Sequence, residues 1–257
     1  MSADRSRRRP RPGTGASVAE LRALISDLEG APSGARDATP CGLEALDRRL
    51  PGGGLPNGAV IELFHDDRAG AGAVRLAALW LRELDPRRAV WLEETWRGDA
   101  PELYPPALAA LGVSLERLII LRPPDRRKAL HALEELVRCA QLPLTIAALS
   151  GLSATVVRRL QIGTEESGRR LVLIRPERES RSGAAGALRL RLRAAPLEEP
   201  GDPFAGGRSR RARSFILEPL RCRGAPFLPP LRMEIDGVTG TLAASALLSE
   251  RAKSAPA

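Results

Sequence analysis

Apolar residues recur along the chain in two periods. Leu21, Leu24, Ile25 and Leu28 fall at i, i+3, i+4 and i+7 behind the capping box Ser17-Val18-Ala19-Glu20, which predicts a helix starting at Ser17 with one apolar face. Gly30 to Thr39 reads as loop. Leu43, Leu46 and Leu50 share one side of a short helix, which Pro51-Gly52-Gly53-Gly54-Leu55-Pro56 breaks. Beyond it, short apolar runs alternate with amphipathic stretches. Strands are predicted at Ala59–Phe64, Ala89–Leu92, Leu118–Leu121, Leu144–Leu149 and Leu171–Ile174. Helices are predicted at Val74–Leu84, Pro106–Leu111, Arg126–Cys139 and Ala154–Glu166. Short buried strands separated by helices are the signature of an α/β fold with a doubly wound, mostly parallel sheet and helices on both faces.

After Pro176 the pattern changes. Leu188-Arg189-Leu190-Arg191-Leu192-Arg193 alternates strictly, which predicts a strand with a buried leucine face and a charged arginine face. Residues 196–214 carry Gly, Pro, Ser and Arg and read as exposed loop. Ser214–Leu220 and Leu231–Ile235 then form a C-terminal antiparallel strand extension. The expected organisation is a disordered basic arm (1–14), an N-terminal helix and linker (15–34), a core (38–195), a basic flexible loop (196–214), the strand extension (215–249) and a tail (250–257).

Charge modifies this picture only at its margins. The 257 residues carry a net charge of +9. Residues 1–12 hold five Arg against one Asp, and residues 207–223 hold six Arg against Glu218, so these two windows contain the whole excess. Arg208, Arg210, Arg211, Arg213, Arg221 and Arg223 could contact nucleic-acid phosphate in a salt-sensitive way. Only two lysines accompany the arginines, so the excess equally fits a compositional bias toward Arg, Ala, Gly and Pro. Three scattered cysteines give neither a disulfide framework nor a zinc pattern. No apolar run approaches the ~20 residues of a membrane span, and the basic N-terminus lacks a signal-peptide core, so the expected location is cytoplasmic.

The natural phosphate site of such a sheet is the turn after its first strand, opening onto a helix N-terminus. That turn is Phe64-His65-Asp66-Asp67-Arg68-Ala69-Gly70-Ala71-Gly72-Ala73. Around it, Gly53-Gly54-Leu55-Pro56-Asn57-Gly58 and Gly42-Leu43-Glu44-Ala45-Leu46-Asp47 resemble the GGLPxG and TGxxxLD segments of the RecA-like ATPases, with Cys41 in the Thr position. Counting from Gly58, the resemblance sets His65 in place of the first P-loop glycine, Ala71 in place of Lys and Gly72 in place of Ser/Thr. Gly70 alone is retained. A P-loop needs the Lys charge and the magnesium-holding hydroxyl, and Asp66 and Asp67 would repel a triphosphate. Glu94, ending Val90-Trp91-Leu92-Glu93-Glu94, takes the position of the water-activating Glu of that family. Leu149 stands where the resemblance puts the magnesium-binding Asp. The expectation is a degenerate site with no catalysis, cofactor or metal, and a solvated carboxylate at Glu94.

A closer resemblance is to the ImuA family, a RecA-like group classed with the division inhibitor SulA. It rests on Val157-Arg158-Arg159-Leu160-Gln161, similar to an LRRLQ segment, on Leu173-Ile174-Arg175-Pro176 followed by Ala187-Leu188-Arg189-Leu190, and on Leu220-Arg221-Cys222-Arg223-Gly224. The last is similar to an L-x-R-x-R-G turn, with its arginines one place off. The resemblance implies a non-catalytic accessory protein of damage-induced (SOS) translesion DNA synthesis. Its implied partners are an ImuB-like Y-family-related protein, an error-prone replicative-type polymerase and RecA. It also implies that the loop Glu177–Gly186 lies where recombinases contact DNA, with Arg175, Arg178 and Arg181 as phosphate ligands. The helix carrying Leu21, Leu24, Ile25 and Leu28 is then a candidate for docking on a neighbour. Two alternatives remain open: a SulA-like inhibitor binding a cytoskeletal GTPase, and a DNA-binding ATPase with an unconventional site.

Overall fold

The computed structural model describes residues 38–84, 86–96, 102–183, 186–196, 213–225, 228–236 and 242–246. The expected N-terminal helix with Leu21, Leu24, Ile25 and Leu28 lies outside them, as do Arg208, Arg210 and Arg211.

A two-residue pairing opens the chain. Strand β1 (Ala38–Thr39) lies antiparallel to β2 (Leu55–Pro56), enclosing the short helix α1 (Glu44–Asp47). The approach is so close that a β-carbon on Gly54 would sit 2.2 Å from the Thr39 carbonyl oxygen. Asp47 closes the segment by accepting from the Cys41 N–H at 2.9 and 3.1 Å. Arg170, 6% exposed, donates to the Leu55 and Pro56 carbonyls, each at 3.1 Å, and to the Asn57 side chain. Burial pushes its pKa down to about 10, which leaves it charged at neutral pH.

There follow β3 (Ala59–His65), α2 (Gly70–Glu83), β4 (Ala89–Glu93), α3 (Pro105–Ala110), β5 (Leu118–Leu121), α4 (Arg126–Leu136), β6 (Leu144–Ala148), α5 (Ala154–Ser167) and β7 (Arg170–Pro176). Caps fix two helix starts: the Asp125 side chain accepts from Lys128 N–H at 2.8 Å, and Ser153 Oγ from Val156 N–H at 3.3 Å. The C-terminal part adds β8 (Leu188–Ala195), β9 (Arg213–Cys222), β10 (Leu231–Ile235) and β11 (Leu242–Ala246).

The nine-stranded sheet has the order β11-β10-β9-β8-β3-β7-β6-β4-β5. Every pairing from β5 to β8 is parallel, and every pairing from β8 to β11 is antiparallel. Helix α2 packs Ala73, Leu76 and Trp80 against Ile61, Leu63, Ile174 and Leu190 on one face. Helices α4 and α5 pack Leu133, Val157 and Leu160 against Val60, Leu92 and Leu173 on the other. The expected doubly wound architecture with an antiparallel extension is therefore the observed one. No described helix is long and apolar enough to cross a membrane.

Two local expectations need correction. Helix α2 begins at Gly70 rather than Val74, because its first turn, Gly70-Ala71-Gly72-Ala73, has no large side chain to mark a face. The arginine face of β8 is not uniformly solvated: Arg189 is 6% exposed. The turn after β7 lies over that part of the face, with the Ser180 and Ser182 carbonyls accepting from Arg189, while Arg191 and Arg193 further along the strand stay partly exposed.

Candidate functional site

The turn after β3 is closed by its own aspartate. Asp66 Oδ1 accepts from the backbone N–H groups of Ala69 at 2.7 Å and Arg68 at 3.0 Å. The other carboxylate oxygen accepts from Ala194 N–H on β8 at 3.2 Å. A P-loop directs such N–H groups at phosphate; here an internal anion takes them. Next to it, His65 Nδ1 lies 2.9 Å from the Asp66 carbonyl oxygen. Gly72 is walled in from β9 and β8: a β-carbon there would lie 2.8 Å from Phe215 Cε1 and 3.2 Å from Leu192 Cδ2. Phe215 is 2% exposed and Leu192 fully buried, so neither can swing away freely. An aromatic ring thus occupies the space beside the glycine that the resemblance aligns with a magnesium-binding Ser/Thr.

Glu94 is not the solvated loop carboxylate expected. It is 8% exposed, and its Oε2 accepts from Ser150 N–H at 2.9 Å and Ser150 Oγ at 2.8 Å. It clamps the chain leaving β6 to the end of β4, where its own N–H donates to the Ala148 carbonyl at 3.2 Å. Leu149 is 2% exposed, and in the α4–α5 core it belongs to one apolar cluster with Leu92, Leu152 and Leu173. Glu94→Ala is expected to lower stability by about 1–3 kcal/mol by orphaning the Ser150 donors, measured by urea denaturation, and Glu94→Gln by less.

The connection from β7 to β8, which flank β3 and both run parallel to it, crosses over β3 and begins with a 3-10 turn, Glu177–Arg181. A lattice of guanidinium and carboxylate groups holds it. Glu62 on β3, 1% exposed, pairs through Oε1 with Arg175 and through Oε2 with Arg189 Nε at 2.9 Å. The two guanidinium carbons lie 5.3 and 4.9 Å from the centroid of the Phe64 ring, which adds a cation–π contact to each. Arg175 continues to Glu179 at 2.8 Å and to the Leu152 carbonyl at 2.6 Å. Arg189 Nη2 donates to the carbonyls of Ser180 at 3.0 Å and Ser182 at 3.2 Å. At the rim, Glu177 accepts from Arg193 Nε at 2.7 Å, and this hydrogen bond holds its pKa below the usual carboxylate range. That tie is present at neutral pH and is lost as the pH falls through the lowered value.

This placement corrects the expected role of Arg175. At 1% exposure and with all three side-chain nitrogens hydrogen-bonded, it is a structural cation and not a phosphate ligand. Arg178 and Arg181 stand differently. Both side chains are exposed on the same turn and make no hydrogen bond or close ion pair with the described residues, although the Arg181 charge helps lower the Glu177 pKa. Glu62 escaped the sequence reading as a functional residue, although a single charge inside an apolar strand was its visible signal.

The motifs of the C-terminal half meet in space. Gln161, 1% exposed, accepts through Oε1 from Val60 N–H at 2.9 Å and Ala187 N–H at 3.1 Å, joining the starts of β3 and β8. Its Nε2 donates to Glu165 at 2.9 Å, and Glu165 pairs in turn with Arg223 at 2.6 Å. The Arg223 backbone N–H donates to the Ala187 carbonyl at 2.9 Å. Arg223 therefore ties the end of β9 to α5 and is not a free contact residue. Arg221 is half-buried on β9 and also has a partner, while Arg213 is exposed at its start.

No protein-family model matches the chain. Protein ImuA of Caulobacter vibrioides is 30% identical over 207 residues, covering 75% of this chain and 82% of that protein. The chain belongs to the ImuA family. Kinship with RecA is more partial: RecA of Picosynechococcus is 29% identical over 119 residues, 46% of this chain and 32% of RecA. RecA of Nostoc punctiforme is 32% identical over 117 residues, again 46% of this chain and 30% of RecA. The RadB recombinase superposes with a TM-score of 0.55 at 17% identity, covering 80% of this chain and 98% of RadB, which shows the RecA-like fold alone. In this ImuA-family chain, the Gln161 and Arg223 motifs that carried the resemblance form one connected brace between α5, β3, β8 and β9.

Proposed function

We propose that this chain is a nucleotide-independent, non-catalytic member of a damage-induced translesion synthesis system. It acts in the cytoplasm by protein contacts with an ImuB-like Y-family-related protein, an error-prone replicative-type polymerase and RecA. Membership of the ImuA family supports the system. The observation that carries the non-catalytic part is the Asp66 carboxylate, bonded to the N–H groups of Arg68 and Ala69 where phosphate would have to bind. Phe215 packed at Gly72 supports it, because it removes room for a magnesium-holding hydroxyl. Where DNA is touched through the β7–β8 turn, Arg178 and Arg181 are the contact residues.

Two measurements test this reading. The purified chain, with or without single-stranded DNA, is expected to show no magnesium-dependent ATP turnover above a blank; clear turnover overturns the non-catalytic assignment. Affinity capture from damaged cells is expected to recover the ImuB-like protein and the polymerase. Recovery of division proteins alone would favour the cytoskeletal-GTPase alternative.

A further inference from the structure

The turn after β7 holds a carboxylate in the way a site holds a ligand. Glu179 Oε2 accepts from Arg175 Nε at 3.0 Å and Nη2 at 2.8 Å, and its Oε1 accepts from Gly151 N–H at 2.7 Å. A guanidinium edge and a backbone N–H converging on one carboxylate form a strong, charge-assisted set. Arg126 adds a further cation beside it, donating to the Ser150 carbonyl at 2.8 Å and to the Gly151 carbonyl.

This carboxylate is free to leave without unfolding what it touches. It reaches Gly151 from 28 positions away, whereas Asp66 is fixed within the turn it caps. The turn keeps its own hydrogen bonds, because the Glu179 carbonyl accepts from Ser182 N–H at 3.0 Å and Ser182 Oγ at 2.6 Å. Arg189 still holds the Ser180 and Ser182 carbonyls, and Arg175 retains Glu62 and the Leu152 carbonyl. Positive charge is also in surplus here. Glu177 is engaged by Arg193 and Glu179 by Arg175, while the exposed Arg178 and Arg181 hydrogen-bond no carboxylate among the described residues.

We propose that Glu179 is the internal occupant of a carboxylate site, and that an acidic side chain of a partner protein exchanges for it. The incoming carboxylate takes Arg175 and Gly151, and acidic residues flanking it in the partner face Arg178 and Arg181. The site selects this chemistry in two ways. It is seen holding a carboxylate, and its guanidinium is 1% exposed while Gly151 lies at the surface. A ligand must therefore reach inward on a flexible stem, as Glu179 does. A phosphodiester fixed within a nucleic-acid backbone has no such stem. The inference needs a protein partner but not the translesion system, so its failure leaves that assignment untouched.

A site that is open only part of the time binds more weakly in proportion to its open fraction. Glu179→Ala in the full chain is therefore expected to bind a fluorescein-labelled hexaglutamate peptide at least about tenfold tighter than wild type, read by anisotropy at low salt. Glu177→Ala removes the same charge from the same turn and should not approach that gain. Acetate should fill the emptied site. It is expected to give Glu179→Ala a saturable rise in Tm that wild type lacks and that chloride at equal ionic strength does not reproduce. This second readout holds even where the substitution has lowered stability. Equal peptide binding by wild type and Glu179→Ala, an equal gain in Glu177→Ala, or no acetate effect overturns the proposal. A gain for a short single-stranded oligonucleotide and not for the peptide overturns it in favour of nucleic acid.

Discussion

Glu62→Ala is expected to destabilise the fold by about 3–5 kcal/mol, the range for removing one partner of a buried ion pair. The substitution strips the carboxylate from between two guanidinium groups that are 1% and 6% exposed. Arg175 would keep Glu179, but Arg189 would keep only carbonyl acceptors. Glu62→Gln retains one acceptor and should fall between wild type and Ala. The readout is the midpoint of urea denaturation at constant m-value. Amide exchange should quicken first in residues 177–183, whose turn rests on Arg175 and Arg189. A loss under about 1 kcal/mol would mean that the lattice contributes shape and not stability.

Restoring the P-loop letters should fail to restore nucleotide binding. The double substitution Ala71→Lys with Gly72→Thr supplies both missing groups, yet no rise in Tm is expected with ATP and magnesium. The new Thr β-carbon would lie 2.8 Å from Phe215 and 3.2 Å from Leu192. Overpacking of this kind costs about 1–3 kcal/mol, so the variant should melt lower than wild type. Adding Asp66→Gly and Phe215→Ala is the combination that clears both obstructions. A nucleotide-dependent Tm rise in the double variant alone would show that lost letters, and not filled space, abolished binding.

Much of this was readable before any coordinates. The alternation of short apolar runs and helical faces located the strands because strand and helix periods differ sharply. Gly53–Gly58 announced the strand that follows, and the turn after it does open onto a helix at Gly70. The interior polar contacts were not readable. Alternation in Leu188–Arg193 says that arginines share a face, but not that the turn Glu177–Arg181 covers part of it. Glu62 meets partners 113 and 127 positions away in the chain, a separation no local pattern encodes. The acceptor role of Glu94 is hidden for the same reason: it depends on Ser150, 56 positions on. Phe215 belongs to a strand whose pairing with β8 brings its ring to the start of α2, and nothing in Ser214–Leu220 announces that.

Asp66 is an anion with no off-rate. In nucleotide-switched proteins, hydrolysis and phosphate release let ordered segments relax, and that sets how long each complex lives. On the proposed nucleotide-independent reading, a carboxylate carried by the turn it organises is neither hydrolysed nor released, so this turn would keep time for nothing. Assemblies built on the chain would therefore be dismantled by dilution, by competition for the same surface, or by destruction of the chain itself.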